Sequence, residues 1–200
     1  MTTPPPTVLF VPGLRDHVED HWQTLLARKI AGSRTVPPLE RDRLSCSARV
    51  AALDVALQSI DGPVVLVAHS AGAMIAVHWV EWARRRTTKI QGALLAAPAD
   101  LERPLPQGHP TLDALRANGW LPIPRRTLPF PAIVAASTND PLARIDRVLA
   151  YARDWGAHVA DVGPVGHLNP AAGFGEWPRG EALVRELVSR AGAVTALRCA

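Results

Sequence analysis

The sequence predicts an α/β protein, a three-layer α/β/α sandwich built on about six mainly parallel strands. Three observations carry that reading. Short apolar runs alternate with segments of helical period along the 200-residue chain. The best of these runs, Pro63-Val-Val-Leu-Val-Ala68, is apolar throughout, as a central strand covered on both faces must be. The composition, 48% apolar and 20% charged, suits one globular domain with a substantial core.

Residues 1–6, Met-Thr-Thr-Pro-Pro-Pro, read as a disordered lead with neither the basic start nor the apolar core of a secretory signal. A single domain is expected over 7–193 and a short tail over 194–200. Val8–Val11 opens as a buried strand that stops at Pro12-Gly13. Asp20–Ala31 is helical, with Trp22, Leu25, Leu26 and Ile30 at three- and four-residue spacing. Arg34–Pro37 is a weak strand, and Cys46–Ile60 an amphipathic helix with Val50, Leu53, Ala56 and Leu57 on one face. After the central strand a helix runs from Ala71 to Arg86. Strands follow at Ile90–Ala97, Pro131–Ser137 and His158–Val162, and helices at Ala143–Trp155 and about Gly180–Ala191.

The stretch 98–129 breaks this rhythm. It holds seven of the 19 prolines and little periodicity, so it reads as a small lid or rim over the strand ends. The net charge of +4 does not point to nucleic acid. The arginines are dispersed, and the run Arg84-Arg85-Arg86 falls at an expected helix end, where cations suit the dipole. No segment has the length of apolar sequence that spans a membrane. The two cysteines, Cys46 and Cys199, form neither a disulfide framework nor a metal-ligand spacing. A cytoplasmic protein without metal or cofactor is the expectation.

The chemistry lies after the central strand. Ala68-His-Ser70-Ala-Gly72 places a serine between strand and helix with a small residue two positions away on each side, the pattern of a nucleophile elbow. The pattern alone also fits a helix N-cap followed by a packing glycine; its placement favours the elbow of an α/β-hydrolase. In that fold the acid and then the histidine follow the serine, each in a loop after a strand. Asp140, in Ser137-Thr-Asn-Asp-Pro141, is the preferred acid, with Asp100 and Asp161 as rivals. His167, in Gly163-Pro-Val-Gly-His-Leu-Asn169, is the expected base, because glycines on its loop let the ring turn back over Ser70. His69 adjoins the nucleophile but is expected to point away. The amide of Ala71, first in its helix, is the first oxyanion donor, and the amide of Leu14 the second. Leu14, Trp22, Trp120, Phe174 and Trp177 are candidate substrate-pocket walls; each is equally able to be core.

The pieces "FVPGL…DHWQ", "VAHSAG", "STNDP" and "GHLNPAAGFGEWPRG" resemble the small serine hydrolases of the retinoblastoma-binding protein 9 / YdeN type, over about Val8 to Val188. The resemblance implies a compact α/β-hydrolase lacking the first two strands of larger enzymes. It also implies a Ser70, Asp140, His167 triad and metal-independent hydrolysis of a small-molecule acyl substrate. Two departures stand out: Ala68 replaces the usual glycine, and Arg15–Asp20 is unusually charged. The expected function is carboxylesterase-like cleavage of a small ester or amide. An acyltransferase with the same triad, or a protein-binding module retaining the fold, are the alternatives.

Overall fold

A computed structural model describes residues 5–83, 87 and 89–198, with side chains to residue 190. Its elements are β1 (Thr7–Val11), α1 (Trp22–Lys29), β2 (Arg34–Thr35), α2 (Cys46–Gln58), β3 (Val64–His69), α3 (Ala71–Ala83), β4 (Ile90–Ala96), α4 (Leu112–Ala117), β5 (Ala132–Ser137), α5 (Ile145–Trp155), β6 (His158–Gly163) and α6 (Pro178–Arg198). The six strands form one sheet in the order β2-β1-β3-β4-β5-β6, and every pairing is parallel. All C-terminal strand ends therefore lie along one edge, where an open α/β sheet carries its site.

Alternation along the strands builds two cores. Leu9, Val11, Val64, Leu66, Ala93 and Leu95 face α2, α3 and α5, whereas Val8, Phe10, Val65, Val67 and Leu94 face α1 and α6. Every residue of β3 is buried, which is why that run carries no polar position until His69.

Several boundaries differ from the expectation. α1 starts at Trp22, because His21 is its N-cap and accepts a bond from the Gln23 N–H. β2 keeps two paired residues, and Val36 N–H still donates to Phe10 O. α6 continues through Arg198, beyond the predicted end at Ala191 and into the predicted tail. Residues 1–4 of the lead, the run Arg84–Arg86 and Cys199 lie outside the described residues.

The stretch 98–129 contains α4, and its second half is packed into the core. Trp120 is fully buried and donates from Nε1 to Leu44 O, Trp155 Nε1 donates to Pro124 O, and Leu128 N–H to Trp155 O. Its first half is tied to α5: Asp100 accepts from Arg147 Nε (2.9 Å) and from the Tyr151 hydroxyl (2.9 Å), and Glu102 pairs with Arg125 and Arg147. Ala99, Leu101, Leu105 and His109 are the part that reaches the site.

Candidate active site

Ser70 leaves β3 with φ 58°, the left-handed region that a side-chain-bearing residue enters only when its surroundings enforce it. Its N–H donates to Ala96 O of β4, and its carbonyl receives Ala73 N–H as α3 begins. Gly72 makes this turn feasible. A Cβ there would stand 2.1 Å from Val11 O and 2.8 Å from Pro12 O, so only glycine lets α3 start beneath β1. Gly13 closes the turn from the other side, its Cβ direction ending 3.3 Å from Ser70 Cβ.

His167 follows β6. Gly166, at φ 59°, turns the chain, and Leu168 at φ 49° turns it again. The imidazole then lies between serine and acid: Ser70 Oγ donates to Nε2 (2.8 Å), while Nδ1–H donates to Asp140 Oδ2 (2.8 Å). Asp140 Oδ1 receives Leu142 N–H at 2.8 Å, so the carboxylate is held from both sides. The His167 and Asp140 side chains are 6% and 1% exposed.

The rival acids are turned elsewhere. Asp100 is bonded to Arg147 and Tyr151 on α5, and Asp161 caps its own turn by accepting Gly163 N–H.

Two residues that support this chain, Asn139 and Arg49, were not singled out in the sequence, and His69 was expected only to point away from Ser70. Asn139 Oδ1 accepts both Gly166 N–H (2.6 Å) and the Ser137 hydroxyl, joining the acid loop to the histidine loop. His69 does turn away from Ser70, and its Nε2–H donates to His167 O at 2.8 Å. Arg49 of α2, 5% exposed, grips the loop after β1 through Asp16 Oδ1 (2.8 Å) and Leu14 O (3.3 Å). Arg43 binds the second Asp16 oxygen, so the charge of that loop is held in an ion-pair latch.

A cavity of about 170 Å³ opens over Ser70. Leu14 and Ala71, the two expected oxyanion donors, line it, as do Leu101, Leu105 and Leu142. Trp22, Trp120, Phe174 and Trp177 do not, which corrects their assignment as pocket walls. Trp22 and Trp177 meet edge to face, centroids 4.9 Å apart, in the core under α1 and α6, and Phe174 packs against that core. Trp120 belongs to the opposite core. In each case packing claimed an indole or phenyl ring that sequence alone left free for either role.

An all-parallel α/β sheet with a serine elbow after its central strand, and acid and histidine after later strands, is an α/β-hydrolase. The chain belongs to the serine hydrolase family, whose model matches residues 8–186. It is similar to a YdeN-like hydrolase from Pectobacterium atrosepticum, at 30% identity and a TM-score of 0.77, covering 94% of this chain and 92% of that one. The ydeN gene product of Bacillus subtilis shares the fold at 16% identity and TM-score 0.66, with 92% and 99% covered. So does the mouse α/β hydrolase domain-containing protein 10, at 15% identity and TM-score 0.64, with 94% and 90% covered. Among curated proteins none matches the chain. Among the described residues no helix is long and apolar enough to cross a membrane.

Proposed function

We propose that the protein hydrolyses a small carboxylic ester through an acyl-enzyme on Ser70. The observation that carries this is the bonded chain from Ser70 Oγ through His167 to Asp140, with both links at 2.8 Å. His167 Nε2 removes the serine proton as Oγ adds to the substrate carbonyl, and Asp140 stabilises the imidazolium. The Ala71 and Leu14 amides hold the oxyanion. The tetrahedral intermediate collapses when His167 returns the proton to the leaving alcohol. Water then repeats the sequence on the acyl-enzyme, releasing the acid and free Ser70. The small cavity and its leucine wall support a short acyl or alkoxy group. A reducing, cytoplasmic setting is part of the reading, supported by the buried free thiol of Cys46.

A fluorophosphonate probe tests the nucleophile. Wild type becomes labelled and loses hydrolysis of short-chain esters in parallel, while Ser70→Ala is neither labelled nor active. Equal labelling of the two proteins would overturn the assignment.

A further inference from the structure

The cavity over Ser70 is also lined by polar residues that the hydrolytic chemistry does not use. Among them are Gln23, His21 and His69, which are 5%, 8% and 5% exposed. The hydrogen-bonding state of each is fixed by backbone. The Gln23 amide nitrogen donates to two carbonyls, Val67 O at 2.9 Å and Val11 O at 3.4 Å, so its carbonyl Oε1 is the end left over. His69 must carry its proton on Nε2 to meet His167 O, which leaves Nδ1 as an acceptor. His21 accepts from Gln23 N–H on Nδ1, so its Nε2 carries the proton and is a donor.

None of these three remaining atoms has a protein partner among the described residues. None is sealed in the core either, where Trp22 Nε1 is the single orphaned side-chain atom among those residues. Each therefore keeps accessible surface, and all three residues line the cavity. The two rings are adjacent, with centroids 4.6 Å apart, and the His69 ring is 4.9 Å from that of His167. Burial, reinforced by His167, pushes the His21 imidazole down to about 4 and that of His69 well below its usual value. Both rings are neutral near pH 7, so the group they meet is selected by hydrogen bonding and not by charge.

We propose that Gln23, His69 and His21 form a polar subsite beside Ser70 that takes a neutral hydrogen-bond donor of the substrate, a hydroxyl or a primary amide. The inference rests on Ser70 being the nucleophile. Two acceptors and one donor match a hydroxyl, which donates to Gln23 Oε1 or His69 Nδ1 and accepts from His21 Nε2. A carboxylate would face two acceptor lone pairs with one neutral donor, and it loses its hydration on entry. A methyl group leaves all three polar atoms unpaired.

Isosteric ester pairs test the subsite from each end of the scissile bond. Ethyl 3-hydroxybutanoate is compared with ethyl 3-methylbutanoate, and 2-hydroxyethyl butanoate with propyl butanoate. Ethyl succinamate is compared with ethyl hydrogen succinate for amide against acid. In the wild-type protein the hydroxyl member of at least one pair is expected to have a kcat/KM about fivefold higher or more. The succinamate is expected to exceed the acid by at least as much. In His21→Asn, which keeps a capping acceptor for the Gln23 N–H but removes the ring donor, the hydroxyl preference falls toward unity. Fluorophosphonate labelling of Ser70 in that variant shows that the nucleophile is still assembled. Equal kcat/KM within both hydroxyl pairs, a preference for the acid over the amide, or a preference untouched by His21→Asn would overturn the subsite while leaving the hydrolase reading intact. If His21→Asn fails to label, the wild-type pairs decide alone. Absence of wild-type labelling would instead remove the nucleophile on which the subsite depends.

Discussion

At Asp140 one carboxylate fixes a tautomer. By accepting from His167 Nδ1 it leaves Nε2 bare toward Ser70, at 2.8 Å. Asp140→Asn can present its amide to Nδ1 and so favour the opposite tautomer; kcat is expected to fall by ~10⁴ with folding preserved. Steady-state kinetics alongside circular dichroism checks this. Gly72 is a different kind of position, where space and not chemistry decides. A methyl group 2.1 Å from Val11 O must push α3 off β1, so Gly72→Ala is expected to cost about 3 kcal/mol or more in denaturant unfolding. Ser70, Asp140 and His167 were legible in the sequence because each follows a recognisable strand and sits among turn residues. Asn139 and Arg49 were not, because their partners lie 27 and 35 positions away and nothing local marks them.

Among the elements, the strands were the most legible and the aromatic-rich connections the least. A run such as Val64–Val67 announces its burial on both faces, whereas Trp22, Trp120 and Trp177 announce only that they will be covered by something. Leu66, fully buried at the centre of β3, tests the first point: Leu66→Ala is expected to lose roughly 2–5 kcal/mol. The loops after β5 and β6 behave as one piece because Asn139 crosses between them. Asn139→Ala removes that joint without touching Ser70 or His167. The expected result is a kcat about 10- to 100-fold lower, with KM nearly unchanged and melting temperature little altered. A lower melting temperature together with a raised KM would make Asn139 merely structural.

For the molecule as a whole, acid sensitivity is built in beside the site. His21 titrates near 6.5 when unfolded but at about 4 in the fold, so the unfolded chain binds the extra proton first. The groups facing His21 are His69, with ring centroids 4.6 Å apart, and His167, whose nearness adds to the effect of burial on the His21 imidazole. The stability contributed by a neutral His21 is present in full above pH 6.5 and is lost as pH falls from 6.5 through 4. Its slope is at most about 1.4 kcal/mol per pH unit. Urea midpoints across that window should decline in the wild type and decline less in His21→Asn. Sequence could place His21 after the first strand, but only the packed fold shows it wedged against the rings of Trp22 and His69.

The all-parallel connectivity also sets a timetable for synthesis. Ser70 leaves the ribosome before His167, just after a strand whose neighbours β1 and β4 are close in sequence. The base that would activate it is 97 residues further along and lies after the last strand. A nascent chain ending between α5 and β6 therefore holds a completed elbow without the His167 imidazole to deprotonate it. Such a chain is expected to stay inert toward fluorophosphonate until β6 has docked. Probe labelling of stalled translation products would then read the docking of the final strand, and the nucleophile would serve as a clock for the completion of its own fold.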